Sequence, residues 1–153
     1  MIHMQTTERV IASALTHALT DATARTVDQL TDEMKANNRA TIGSLVRKLK
    51  QKVDVHEDFE RLLESFLEDR NSLIHDIDRI PGFDLQSEAG IGSANSFLSK
   101  LLGKAEMVTK VFLAASQEWA EEVGYPSGKD PFIHRYLGEY RGSARVVFRR
   151  KTD

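Results

Sequence analysis

Apolar residues recur along most of this chain at intervals of three and four positions, which places them on one face of an α-helix. The pattern predicts four helical stretches. The first begins after a cap at Thr6 and fades beyond Met34, and the second is short and begins after a cap at Thr41. Because each stretch has one apolar face, we expect an all-α fold, an antiparallel helical bundle with a short second helix.

The third stretch contains one charged residue among its apolar positions. We predict that it begins with a capping box at Asp54, with Glu57 at the third position, and that Pro81 ends it. Its apolar stripe consists of Phe59, Leu63, Phe66, Arg70, Leu73 and Ile77. A charge on such a face is costly unless it is paired or functional, so Arg70 is a candidate functional residue.

The fourth stretch has the most regular pattern in the chain. It follows Ser87, and we expect Gly124 and Pro126 to end it. Its apolar stripe consists of Ala94, Leu98, Leu101, Ala105, Val108, Phe112, Ala115 and Trp119. We interpret this stretch as a packed core helix rather than as a cofactor-binding surface.

The end of the chain differs in character. We divide the sequence into a helical domain, 1–130, and a basic C-terminal arm or tail, 131–153, in which 144–148 could form a short strand. This segment could be an ordered arm, a disordered tail, or a segment that becomes ordered on a partner. Three of its arginines are candidate RNA-binding residues, although such residues often only solvate a chain end. They are Arg145, Arg149 and Arg150.

The composition excludes several classes of site. The chain has 153 residues, no cysteine and a net charge of −2. It can bury a core without disulfides, and it has no thiolate metal site and no thiol nucleophile. A nucleic-acid site would have to be a local patch. Since we see no signal-peptide pattern and no apolar run of about 20 residues, we expect a cytoplasmic protein that does not enter a membrane.

Arg70, Asn71 and His75 are the candidate catalytic residues. On a straight helix Arg70 and His75 lie about 140° apart around the axis and about 7.5 Å apart along it, so they do not share a face. Asn71 and His75, four positions apart, do share one. A compact site that uses both Arg70 and His75 is therefore easier to build from two copies of the helix, as in a two-fold homodimer.

Structural roles compete with this interpretation. Arg70 could pair with Glu64, with Glu68 or with a carboxylate on a neighbouring helix. His75 could be a structural histidine held by hydrogen bonds, and Asn71 could satisfy backbone groups at a dimer interface.

We predict no metal site and no cofactor. Asp76 and Asp78 flank the motif, but they lie about 200° apart on a helix and cannot chelate one ion without another element. His56 is next to several carboxylates, but the spacing is not that of a ligand set.

The segment that begins at Arg70 resembles the signature of the HEPN superfamily, named for higher eukaryotes and prokaryotes nucleotide-binding. That signature is an arginine, four to six further residues and a histidine, commonly with Asn, Asp or His directly after the arginine. Arg70, Asn71 and His75 match its shortest form. Residues around the motif, such as 41–46, also look like those of small bacterial HEPN-like proteins, and the resemblance covers approximately residues 40–115.

The resemblance implies an activity as well as a fold. Many HEPN proteins are metal-independent ribonucleases that act as toxins or defence effectors, with the site shared across a homodimer. In that chemistry the ribose 2′-OH attacks the adjacent phosphate, and the products carry 2′,3′-cyclic phosphate ends. His75 would move the proton, Arg70 would hold the phosphate, and Asn71 would orient the histidine or the dimer.

The resemblance also implies partners and an alternative. A toxin of this kind would have RNA as its substrate and an antitoxin protein as its partner. Toxins paired with a nucleotidyltransferase antitoxin often carry a tyrosine where this chain has Ile77, so modification of such a tyrosine is not expected. Other HEPN-like proteins bind a nucleotide or a partner protein without catalysis. The alternative function is therefore that of a non-catalytic helical module.

Overall fold

The computed structural model describes residues 2–17, 26–122, 124 and 131–150, and the side chains of all of them except 2–4, 27, 30, 38 and 150. Helical residues make up 83% of this part of the chain, and the strands described form one two-stranded sheet. The protein is therefore mostly helical, which agrees with the expected all-α class. The HEPN-like arrangement of these helices stays a prediction.

The first predicted stretch begins earlier than expected, as α1 (Ile2–His17). The predicted cap at Thr6 was wrong, because α1 starts four residues before it. Thr7 is instead a buried helical residue whose Oγ1 lies 2.8 Å from Oγ1 of Thr109. Leu19, another residue of the predicted pattern, lies outside the described residues.

A separate helix, α2 (Val27–Arg39), forms the second half of that stretch. Its start is fixed by a capping box between Thr26 and Gln29. The Thr26 hydroxyl accepts from the Gln29 backbone N–H at 3.3 Å, and the Gln29 side chain accepts from the Thr26 backbone N–H at 3.0 Å. Thr26 therefore begins a second helix within the region that was predicted as one helical stretch.

The second predicted stretch is confirmed as α3 (Ile42–Lys52), capped by Thr41 as expected. The Thr41 hydroxyl accepts from the Ser44 backbone N–H at 3.3 Å. Four apolar residues of α3 are buried in the core. They are Ile42, Leu45, Val46 and Leu49.

The start of α4 (Glu57–His75) differs from the predicted capping box. Asp54 does not cap this helix, because it lies in a strand, β1 (Val53–Val55). His56 is the cap instead, and its Nδ1 accepts from the Asp58 backbone N–H at 3.3 Å. The helix begins two residues later than predicted because the backbone of β1 is extended. That backbone is extended because β1 pairs with a distant segment, which the local sequence does not indicate.

The end of α4 also comes earlier than predicted. The backbone leaves the helical region at Asp76, where φ is −135°, and a short 3₁₀ turn follows at Ile77–Arg79. The helix therefore stops before Pro81, and Ile77, the last residue of the predicted stripe, is 45% exposed.

The fourth predicted stretch is confirmed as α5 (Glu88–Glu122). Ser87 caps it, because its hydroxyl accepts from the Gly90 backbone N–H at 3.1 Å. Gly124, with φ of +77°, follows its end as expected, and Pro126 lies outside the described residues. α1 and α4 both pack against α5, which makes it the central helix of the core.

The described part of the tail is ordered. Residues 131–150 form α6 (Pro131–Leu137), a 3₁₀ turn, α7 (Ala144–Val147) and β2 (Phe148–Arg150). The predicted strand at 144–148 was misplaced, because 144–147 is helical and the strand begins only at Phe148. The predicted boundary at residue 130 is itself outside the described residues.

β2 joins the tail to the core. It pairs antiparallel with β1, with Val55 opposite Phe148. The Phe148 ring lies 5.5 Å from that of Phe59 in α4 and 5.3 Å from that of Phe112 in α5. Tyr140, Ala144, Val147 and Phe148 therefore pack in the same hydrophobic core as the helices before them.

The loop between α4 and α5 approaches α5 closely at one glycine. A Cβ atom at Gly90 would overlap the backbone carbonyl oxygen of Asp84. Asp84 is held in place because its carboxylate accepts from the Ser87 hydroxyl at 2.6 Å and from the Gln86 backbone N–H at 2.8 Å. These bonds hold the pKa of Asp84 below its usual range. The loop is therefore fixed on the helix surface, with no room for a side chain at Gly90.

We expect Gly90→Ala to lower the free energy of unfolding by about 1–3 kcal/mol, because the added methyl group must displace the loop. Gly103→Ala is the matched control on the same helix, since a Cβ there meets nothing within 4 Å. Removing that helical glycine should raise stability by about 0.5–1 kcal/mol. Urea denaturation followed by circular dichroism measures both changes, and equal effects at the two positions would contradict the close packing.

Candidate functional site

Arg70 lies on the inner side of α4 and is joined to α1. Its Nη2 donates to Glu8 Oε1 at 2.8 Å, and the two side chains are 20% and 29% exposed. In such a partly buried position a paired charge is tolerated, whereas an unpaired one is costly. The structure therefore contains one of the expected structural partners, a carboxylate on a neighbouring helix.

The two glutamates of α4 that were considered as partners do not bond Arg70. Glu64 and Glu60 both accept from Lys50 of α3, each at 2.6 Å. Hydrogen bonds to these carboxylates raise the pKa of Lys50. Glu68 is exposed and makes no ion pair with any described residue. Arg70 is thus tied to α1 rather than to its own helix.

The Arg70 guanidinium keeps unused hydrogen-bond donors. Nη1 donates to Oδ1 of Asn71 at 3.2 Å, whereas Nε is buried and has no partner within the described ranges. Most buried donors in native proteins are paired, because an unpaired donor loses its hydration without replacement. The Arg70 guanidinium can therefore donate to a further acceptor if neighbouring side chains move.

His75 is the last residue of α4, and its side chain is exposed. Five positions along a helix turn through about 140°, so His75 lies around the helix from Arg70. Its side chain has no hydrogen bond or ion pair with any residue that the structure describes. The alternative of a structural histidine held by hydrogen bonds therefore finds no partner in this part of the chain.

Asn71 connects the two faces of α4. It is exposed, it accepts the bond from Arg70, and it lies one turn before His75 on the same side of the helix. Arg70 and Asn71 are thus brought together, whereas Arg70 and His75 lie on different sides of α4. Next to His75, Ile74 and Ile77 are 48% and 45% exposed and leave apolar surface in the solvent.

The arginines predicted to bind RNA lie at the other end of α4. Arg149 is exposed on β2, where it lies opposite Asp54 in the strand pair, just before α4 begins. α4 has 19 residues, so its two ends are about 28 Å apart. Arg145 contacts Glu118 at 3.7 Å and Glu122 at 3.4 Å. Arg150 is in β2, but its side chain is not described.

The tyrosines of the tail serve as anchors in the described region. Lys110 of α5 lies over the Tyr136 and Tyr140 rings, 5.1 and 5.7 Å from their centroids. Tyr125, the third tyrosine of the chain, lies outside the described residues. The described tyrosines therefore hold α6 and the following turn on α5.

Glu8 is the residue of this site that the sequence did not indicate. It precedes Arg70 by 62 positions, and no local pattern connects them. Only the packing of α1 near α4 brings the two charges together. The carboxylates close to Arg70 in the sequence are on the same helix, where Glu64 pairs with Lys50 and Glu68 is exposed.

Within the described ranges, no three His, Asp or Glu side chains are grouped closely enough to hold a metal ion. None of the helices described there has the length and hydrophobicity of a membrane span. No protein-family model matches the chain, and no curated protein or solved structure matches it either. The relationship to the HEPN superfamily therefore stays a prediction from the motif residues.

Proposed function

We propose that the protein is a HEPN-like, metal-independent endoribonuclease whose site is shared across a homodimer. The observation that carries this proposal is the bond from Arg70 to Asn71, which links the arginine to the solvent face where His75 is exposed. The exposed side chains of Ile74 and Ile77 beside His75 supply apolar surface for a second copy of α4. A second copy would bring the arginine of one chain near the histidine of the other.

The residues suit cleavage by the ribose 2′-OH. His75 removes the proton as the 2′ oxygen bonds to phosphorus, which is the general-base role that histidine performs most often in enzymes. The bond from phosphorus to the 5′ oxygen breaks, and this oxygen takes up a proton from the imidazolium formed on His75 or from water, which leaves a 2′,3′-cyclic phosphate and a 5′-hydroxyl. Arg70 donates to the phosphate oxygens, on which charge grows in the transition state.

Glu8 and Asn71 would position the arginine in this reaction. Glu8 keeps Nη2 fixed, while Nη1 becomes available to a phosphate when Asn71 turns toward His75. A planar guanidinium with five donors can serve both the carboxylate and the phosphate. The role as a toxin or defence effector, with an antitoxin protein as partner, rests on the resemblance alone.

The decisive assay incubates purified protein with total RNA in EDTA. We expect the wild type to cleave and to leave 2′,3′-cyclic phosphate ends, and His75→Ala to cleave about 10²–10⁴-fold more slowly. Arg70→Ala should also lose activity. Arg61→Ala is the matched control, because Arg61 is an exposed arginine of the same helix that pairs with Glu57 and Asp58.

Two results of this assay would remove the proposal. One is cleavage that survives in both His75→Ala and Arg70→Ala, and the other is no cleavage by the folded wild type. Circular dichroism spectra of all variants establish that lost activity does not come from lost folding.

A non-catalytic helical module is the second candidate, and the Glu8–Arg70 pair favours it. In this case Arg70 only joins α4 to α1, and Arg70→Ala lowers stability without any activity to lose. A cleft of about 620 Å³ between α1, α5 and α6 offers a place for a nucleotide, since ligand sites typically have about 300–1,000 Å³. Glu106, Thr109 and Tyr136 are among its lining residues.

A further inference from the structure

A groove opens between the segment after α4 and the first turns of α5. Its volume is about 500 Å³. The segment after α4 supplies an apolar side, and α5 supplies one aromatic ring, hydroxyl groups and one ammonium group. The residues used below are Ile80, Pro81, Phe97, Ser93, Ser96 and Lys100. We propose that this groove binds one nucleotide of single-stranded RNA next to the cleaved bond, an inference that rests on the proposed ribonuclease function.

The two helices beside the groove run in opposite directions. Phe59, near the start of α4, contacts Phe112 at a centroid distance of 5.8 Å. Farther along α4, Asp69 accepts from Lys104 of α5 at 2.6 Å. Residue numbers thus rise along α4 while they fall along α5, so the end of α4 meets the early turns of α5.

This register places the groove level with the motif. His75 follows Asp69 by six positions, so it lies level with Leu98, which precedes Lys104 by six positions. Lys100 is half a turn away on α5. The apolar wall begins at Ile80, five residues after His75, and those residues can span at most about 17 Å. An RNA strand that passes His75 therefore needs only a short step to enter the groove.

Lys100 differs from the other lysines of α5. Lys104 pairs with Asp69 at 2.6 Å, and Lys110 pairs with Glu106 at 2.9 Å. Lys100 is exposed and has no carboxylate partner within the described ranges. An ammonium group without a partner, at the mouth of a groove, suits a phosphate rather than a structural ion pair.

The remaining walls suit the sugar and the base. Ser93 and Ser96 are exposed hydroxyls, which can bond a ribose 2′-OH or a phosphate oxygen. Phe97 supplies an aromatic ring, and Pro81 adds apolar surface. Bases of single-stranded RNA stack on aromatic side chains largely without regard to sequence. Combined with Lys100, these groups cover the three chemical parts of one nucleotide.

A glycine keeps the apolar wall close to α5. Gly82 has φ of +71°, and a Cβ there would lie 3.1 Å from Oγ of Ser93. On the opposite wall, a Cβ at Gly92 meets nothing within 4 Å. A large side chain at Gly92 therefore fits without disturbing the helix and fills the groove.

The test measures binding of a labelled, 2′-O-methylated single-stranded RNA, which cannot be cleaved, to the full chain. Fluorescence anisotropy at several salt concentrations gives the affinity and its salt slope. We expect Lys100→Ala to lower the magnitude of the slope by about 0.7, the value for one lost phosphate contact on a single strand. We also expect Gly92→Phe to weaken binding several-fold.

Lys35→Ala is the matched control, because Lys35 is an exposed lysine of α2 and loses the same charge. Its slope and affinity should equal those of the wild type. An unchanged slope in Lys100→Ala, or no binding by the wild type, overturns the proposed groove.

Photocrosslinking separates this inference from the function on which it rests. RNA that contains 4-thiouridine should crosslink to peptides within residues 80–100. Crosslinks in this range without cleavage in the RNA assay would support the groove and remove the ribonuclease. Cleavage with crosslinks only outside this range would support the ribonuclease and remove the groove.

Discussion

An equal mixture of Arg70→Ala and His75→Ala chains is expected to regain about a quarter of wild-type RNA cleavage, although neither variant cleaves alone. Random pairing makes half of the dimers mixed. Each dimer has two sites. In a mixed dimer, one site has an intact arginine from one chain and an intact histidine from the other, and the second site has neither. The expected recovery follows from the proposed site, because Arg70 and His75 lie on different faces of one helix and, in that proposal, act on each phosphate from different chains.

The measurement requires chains that exchange partners. The two variants are co-refolded, mixed dimers are identified by native mass spectrometry, and cleavage is measured in EDTA. As a control, Arg70→Ala is paired with a chain that carries both substitutions, a combination that contains no intact arginine and should stay inactive. Mixed dimers without activity would contradict a site shared in this way, whereas activity of a wild-type monomer would contradict the need for a dimer.

Replacing Phe112 by alanine is expected to lower the free energy of unfolding by about 3–5 kcal/mol. The Phe112 ring is fully buried, and it contacts Phe59 of α4 at 5.8 Å and Phe148 of β2 at 5.3 Å. Its removal opens a cavity where three elements meet, and the surrounding backbone cannot close it without moving α4, α5 or the tail.

Urea denaturation measures this loss, and Leu102→Ala is the control on the same helix. Leu102 is 49% exposed, so its truncation should cost less than about 1 kcal/mol. If Phe112→Ala cost no more than Leu102→Ala, the aromatic contacts between the tail and the core would not form in solution. A large loss would support the tail as part of the folded domain.

The elements that the sequence predicted well are those with local signals. α3 and α5 each combine a capping hydroxyl, at Thr41 and Ser87, with an unbroken apolar stripe. Both signals lie within a few residues of the helix that they define, so packing against distant parts of the chain does not change them. The same holds for the shared face of Asn71 and His75, which follows from helix geometry alone.

The failures have non-local causes. The backbone at Asp54 is extended because β1 pairs with β2, whose residues lie near the other end of the chain. A capping box fits the same residues locally, and the strand pairing overrides it. Likewise, the partner of Arg70 is Glu8, and only the tertiary packing of α1 brings this carboxylate to α4. Neither contact leaves a trace in the surrounding sequence.

The pairing of β1 with β2 has a consequence for the order of folding. Val53 and Arg150 face each other across the ladder, although 97 residues separate them in the chain. During synthesis, α4 and α5 leave the ribosome before β2 does, so the strand pair can close only after residues 148–150 have emerged. The helix that carries the motif can therefore pack against α5 before β2 is available to pair with Val53–Val55.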